Sequence, residues 1–178
     1  HNPHYTGEDL LALFTITGGV PWYVSLLMDK GHTTKDRMLG YLTEDNSPFI
    51  NEGKNILIEE FGPDYGMYFS ILTCIAGGMR TRGEIEGALR ETNISSYLNR
   101  LEHYYGLITR NQPIFSKESS KKTRYVLSDC FLTLWFRFFY KYQSIIANDA
   151  LAQLDIIIRR DYDTLAGFML ERYFERKL

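Results

Sequence analysis

The chain has few features that would serve cross-linking, membrane insertion or metal chemistry. Of its 178 residues only Cys74 and Cys130 are cysteines. They form no CxxC pair and lie in apolar helical surroundings, which reads as reduced core thiols of a cytosolic protein rather than a disulfide. Apolar runs are short and interrupted, so none is expected to span a bilayer. No signal peptide is visible, and the expected setting is the cytoplasm, without a membrane partner. His1, His4, His32 and His103 are scattered and do not have the spacing of a metal site. A GxxxxGK[ST] phosphate loop, an HExxH helix and a GxSxG elbow are all missing. Asp161, Asp163 and Glu171 cluster near the end and read as solvated helix faces. The expectation is a chain with no catalytic residues, no metal and no cofactor of its own.

What is present can build a core. Apolar residues make up 44% of the chain and aromatics 15%, which favours folding over disorder. Charge is unevenly placed: net −6 over residues 1–67, net +4 over 68–128 and zero over 129–178. Separate modules are expected from this pattern, with the basic one a modest hint of a nucleic-acid partner. The chain opens at His1 without an initiator Met and stops at Leu178 inside an amphipathic pattern, which reads as a cut from a longer polypeptide.

Local signals give the expected elements. Thr6-Gly7-Glu8-Asp9 starts a helix with acids in its first turn, and Gly18-Gly19 stops it. Pro21 suits the first position of the next helix. Further helical patterns run from about Thr34 to Leu42 and from Asn51 to Phe61, and Gly62-Pro63-Asp64 is a turn. Tyr68, Phe69, Ile71, Leu72, Ile75 and Ala76 form another helix, closed by Gly77-Gly78. Thr81 with Glu84 is a capping box that opens a short helix through Ile85 and Leu89. Asn93 is the expected N-cap of a third helix, with Ile94, Leu98, Leu101 and Tyr105 on one face and Gly106 as its left-handed stop. Leu107 to Arg110 and Arg124 to Leu127 read as strands flanking a polar wing from Asn111 to Lys122. Helix, helix, helix, strand, wing, strand is the order of a winged helix. Beyond Asp129 a strongly aromatic helix is apolar almost all round and must be buried.

In a helix-turn-helix the third helix lies in the major groove, and the wing touches phosphate or the minor groove. The face away from Leu98 and Leu101 offers Ser95, Ser96, Asn99, Arg100 and His103, while the wing and its flanks add Arg110, Lys117, Lys121, Lys122 and Arg124. Asn and Arg can each make two hydrogen bonds to a purine edge, and Lys can pair with phosphate. Against this, Glu102 and Glu118 oppose phosphate, and many winged helices pack only on protein. The candidate DNA-binding set is Ser95, Ser96, Asn99, Arg100, Lys121, Lys122 and Arg124.

The order of several short motifs resembles the C-terminal half of a family of archaeal and bacterial ATPases of the AAA+/STAND type. The motifs are Gly18-Gly19-Val20-Pro21-Trp22-Tyr23, Tyr68 to Gly77 with Ile85, Ser96-Tyr97-Leu98 with Leu101 to Arg110, and Pro113. They continue through Arg124-Tyr125, Ser128-Asp129 with Phe131, Leu134-Trp135-Phe136-Arg137-Phe138 and Gly167-Phe168-Met169-Leu170-Glu171. The resemblance implies a helical lid, a winged helix and the start of a restriction-endonuclease-like region. It also implies that Gly19 and Pro21 lie nearest the nucleotide. ATP and Mg would then belong to an ATPase core outside this chain, which is its first expected partner.

The fold expected is mainly α: a lid-like bundle over 1–62, a winged helix with a two-stranded wing over 63–129, and an aromatic helical extension over 130–178. The leading functional expectation is a switch whose winged helix relays nucleotide state to a partner or to duplex DNA. A winged-helix DNA-binding regulator is one alternative. The other is a protein-interaction module working through the aromatic extension, which would give homo-oligomers.

Overall fold

The computed structural model describes residues 4–62, 65–111 and 123–175. The protein is mainly helical with one small antiparallel sheet. Helices α1 (Gly7–Thr17), α2 (Pro21–Asp29), α3 (Lys35–Leu42), α4 (Phe49–Phe61), α5 (Tyr65–Ala76), α6 (Arg82–Leu89) and α7 (Ser95–Asn99) precede strands β1 (Ile108–Asn111) and β2 (Arg124–Leu127). Helices α8 (Cys130–Trp135), α9 (Gln143–Ala147) and α10 (Leu151–Glu175) follow. Wider turns of the π type, Arg100–Tyr104 and Phe136–Tyr140, extend α7 and α8. Among the described residues no helix is long and apolar enough to cross a membrane.

Contacts divide the chain into two compact units, one of His1–Glu52 with Phe138–Leu178 and the other of Gly53–Arg137. The division expected from charge and turns, at 62 and 129, cuts elsewhere. The new boundaries fall inside α4 and inside the turn that extends α8, where no local breaker marks them. The first unit joins the opening helices to the closing ones, a pairing that depends on contacts far apart in sequence.

In the first unit α1 begins where expected, and the structure adds a capping box that uses Asp9 as its acid. The Thr6 hydroxyl accepts the Asp9 N–H at 3.1 Å, and Asp9 Oδ2 accepts the Thr6 N–H at 3.0 Å. Asp9 Oδ1 also accepts the Lys35 N–H at 2.8 Å, tying the start of α3 to α1. These donors hold the Asp9 carboxyl below the ordinary carboxylate range, the Lys35 N–H contributing most. Ala12, Ile16, Leu27, Met38 and Leu42 are buried, as are Leu154, Ile158, Tyr162, Leu165 and Met169 on one side of α10. Asp161 pairs with Arg160 and Asp163 with Lys35, while Glu171 is exposed. Such exposed pairs contribute little, and burial of the apolar side holds this unit.

In the second unit Tyr68, Phe69, Ile71, Leu72 and Ile75 of α5 are buried, together with Ile85, Ile94, Leu98, Leu101, Ile108, Val126 and Leu127. The strands pair antiparallel, with Ile108 opposite Leu127 and Asn111 opposite Arg124. The Tyr125 N–H reaches past them to the Arg80 carbonyl at 2.7 Å, and the Ser128 N–H to that of Leu107 at 2.8 Å. The wing beyond Asn111, with Pro113, Lys117, Glu118, Lys121 and Lys122, lies outside the described residues. Asp129 caps α8, its side chain accepting the Leu132 N–H at 2.7 Å. As expected of the aromatic stretch, Phe131 to Trp135 are all buried. Cys74 and Cys130 are half-buried and not joined by a disulfide.

Two helical glycines of this unit separate packing from propensity. At Gly53 a methyl group would overlap the Trp135 indole, meeting its Cγ at 2.6 Å, whereas at Gly87 nothing lies within 4 Å. Trp135 is only 3% exposed and has little room to move aside. Gly53→Ala should therefore lose about 1–3 kcal/mol to overpacking, while Gly87→Ala should gain up to about 1 kcal/mol from helix propensity. Urea unfolding followed by circular dichroism should show the two midpoints moving in opposite directions.

Candidate nucleic-acid interface

Helices α6 and α7 and the strands after them follow the winged-helix order. The box at the start of α6 is complete. The Thr81 hydroxyl accepts the Glu84 N–H at 3.3 Å, and Glu84 Oε2 accepts the N–H groups of Thr81 at 2.8 Å and Arg80 at 2.9 Å. Those backbone donors hold the Glu84 carboxyl below its usual range, and Arg124 is near enough to add to the effect.

The start of α7 differs from expectation. Ile94, not Asn93, occupies the cap position, and no side chain of its own caps the helix. Glu86 of α6 takes that role from a distance, with Oε1 accepting the Ile94 N–H at 3.3 Å and the Arg82 Nε–H at 2.7 Å. One carboxylate thus fixes the entry into α7 from the preceding helix. Its pKa is lowered, chiefly by Arg82.

The turn between the helices contains a residue with no counterpart in the sequence reading. Arg90 caps α6 in the left-handed region, at φ 55° and ψ 33°, and is exposed. Glycine is the usual occupant of such a position, because a Cβ there costs about 1–2 kcal/mol. The exposed basic side chain of Arg90 stands at the corner between α6 and α7. The available signal was the lack of a glycine after Leu89, where the helix had to stop.

Ile94, Leu98 and Leu101 face inward, each no more than 2% exposed. The Tyr105 N–H bonds to the Arg100 carbonyl at 2.9 Å and closes the wide turn, and Gly106 follows in the left-handed conformation expected of it. Ser96, Asn99, Arg100 and His103 are exposed on the opposite side, and Ser95 is half-buried. The structure therefore brings Ser96, Asn99 and Arg100 onto one face. Arg124, on β2, is exposed and lies toward the start of α6, while Lys121 and Lys122 are outside the described residues.

Electrostatics sharpen that face. Glu102, the acid expected to oppose phosphate, is mostly buried, and it faces Arg110 at 3.4 Å and His103 at 3.6 Å. Its charge is answered locally, and Arg110 is correspondingly occupied. The Arg100 guanidinium lies 6.0 Å from the centre of the Tyr68 ring, at the outer limit of a cation–π contact, and leaves its hydrogen-bond donors on an exposed residue. Asn and Arg side by side on an exposed helix can each present a two-point hydrogen-bonding edge to a purine.

Gly19 and Pro21 belong to the other unit. Gly19 is exposed at φ 81°, with its N–H on the Thr17 hydroxyl at 3.1 Å, and Pro21 is the first residue of α2. The turn is a tight helix-to-helix link.

Protonation couples to this module's stability with a definite sign. Glu84 and Glu86 are lowered from an ordinary value of 4.5. Their contribution is complete above that value and is lost as pH falls through the lower folded values. Unfolding free energy should decline below about pH 4.5, and the Glu84→Gln/Glu86→Gln double variant should show a shallower decline in urea titrations at stepped pH. Arg90→Gly should raise the neutral-pH unfolding free energy by about 1 kcal/mol through relief of the left-handed strain.

Uncharacterized protein MJECL04 of Methanocaldococcus jannaschii is 27% identical to this chain over 179 residues, an alignment covering 96% of the chain. The chain spans 38% of the length of that relative. No protein-family model and no solved structure matches the chain.

Proposed function

We propose that this chain is the lid and winged-helix portion of a nucleotide-switched ATPase of the AAA+/STAND type, with duplex DNA as the target of its winged helix. The observation that carries the DNA part is the exposed Asn99 and Arg100 pair, set on a helix whose other side is buried at Ile94, Leu98 and Leu101. Arg90 at the helix-turn-helix corner, and Lys121 and Lys122 in the wing sequence, add cations for phosphate. The ATPase part rests on the order of motifs from Gly18-Gly19-Val20-Pro21 to Gly167-Phe168-Met169-Leu170-Glu171. The longer archaeal relative, of which the aligned part is 38%, has length to spare for a nucleotide-binding core. In this reading ATP and Mg bind that core, Gly19 and Pro21 approach the nucleotide, and the winged helix responds to its state.

A DNA-binding regulator that works without ATP is the second reading, favoured by the same Asn99 and Arg100 face. The two separate on nucleotide. In a switch, ATP changes the DNA affinity of the polypeptide that carries the core; in a simple regulator it does not.

Duplex binding by this chain should weaken with salt, as phosphate contacts release counterions. The Lys121→Glu/Lys122→Glu variant should flatten the slope of log K against log salt by about 2. Asn99→Ala and Arg100→Ala should each cost about 1–3 kcal/mol on a preferred sequence. Fluorescence anisotropy across a salt series measures both, and an unchanged slope with unchanged affinity would remove duplex DNA from the proposal.

A further inference from the structure

The exposed side of the third winged-helix helix ends in an aromatic ring that the duplex-reading set does not use. Tyr104 is 75% exposed, the highest exposure of any large hydrophobic side chain among the described residues. It follows His103 and lies one helical turn beyond Arg100, so it continues the side that carries Ser96, Asn99 and Arg100.

The ring also has a firm mount. Tyr104 meets Tyr105 edge-on, with centroids 4.9 Å apart and planes at 88°. Tyr105 in turn packs edge-on against Phe61 at 4.8 Å and Tyr68 at 5.5 Å, and its hydroxyl donates to the Glu60 carbonyl at 3.3 Å. The backbone at this point is the wide Arg100–Tyr104 turn, a kind of helix irregularity that is common at functional sites. Here it leaves His103 and Tyr104 both outward while Leu101 stays fully buried.

A flat ring presented to water on a fixed base has one strong use beside base-reading side chains. Every nucleobase has a π-face, and stacking on an aromatic residue is worth about 1–3 kcal/mol per base. In the interior of a duplex the base pairs are stacked on both faces and offer no free one. An unpaired base next to a duplex does offer one.

We infer that the target of this helix is DNA in which an unpaired base adjoins the duplex, a single-strand/double-strand junction, with Tyr104 as the stacking residue. The inference rests on the DNA reading above and narrows its substrate class. Asn99 and Arg100 would hold the paired part, and Tyr104 would take the first unpaired base.

The test compares a blunt duplex with the same duplex bearing a short single-stranded thymine overhang, by anisotropy with the full chain. The overhang should bind about tenfold tighter. Tyr104→Ala should abolish that preference and leave blunt-duplex affinity unchanged, while Tyr104→Phe and Tyr104→Trp should keep it. Tyr104 is exposed, so the fold should survive, and circular dichroism of each variant checks this. Equal binding of the two DNAs by the wild type, or a preference that survives Tyr104→Ala, overturns the inference and leaves the duplex reading standing. Absence of binding to either DNA overturns both.

Discussion

The ring cluster around Tyr68 is the constraint on which the winged-helix module depends. Tyr68 stacks on Phe61 at 4.6 Å and takes the edges of Tyr97 at 5.1 Å and Tyr105 at 5.5 Å. One buried side chain of α5 therefore touches the end of α4 and both ends of the third helix. Next to it Phe69 packs against Trp135 and Phe136, which joins the aromatic segment after the sheet to the same interior. Aromatic edge-to-face contacts add about 0.5–1.5 kcal/mol each beyond their burial, and they are directional. They fix the rotation of the third helix about its axis more tightly than Leu98 and Leu101 could alone.

That rotation decides which side chains meet the solvent. With Tyr97 and Tyr105 turned toward Tyr68, the residues between them divide in one way only: Leu98 and Leu101 inward, Asn99, Arg100, His103 and Tyr104 outward. Glu102 lies between the two sides and is answered by Arg110 from the first strand. The polar face of the helix is thus a consequence of its apolar packing.

Features encoded by neighbours in sequence were legible. The helix start at Thr6, the capping box at Thr81, the stop at Gly18-Gly19, the left-handed cap at Gly106, Pro21 at the start of α2 and both strands of the sheet each need only a few adjacent residues. Features that need a distant partner were not. Asn93 is a better cap by type than Ile94, yet Glu86 supplies the bond from eight residues upstream, which no local pattern reports. The first compact unit pairs α1 and α3 with α10 through Lys35 and Asp163, 128 residues apart. On the candidate face Ser96, Asn99 and Arg100 followed from the 3.6-residue period, whereas Arg90 required knowledge of a backbone angle. Tyr104 follows Leu101 by three, the spacing that joins Leu98 to Leu101, so the period alone did not mark it as outward; it is exposed at the end of the wide Arg100–Tyr104 turn.

The two units are stabilised differently. In the first, α10 meets α1 and α3 through a buried apolar side bordered by exposed ion pairs such as Lys35–Asp163 and Arg159–Asp36. Pairs of this kind add little in water and are weakened by salt, so they can exchange partners at small cost while the apolar side stays packed. In the second, the entry to the third helix is held by Glu86 and its exit by Tyr105. The arrangement of Asn99, Arg100 and Tyr104 on the exposed side of the third helix follows from those two anchors.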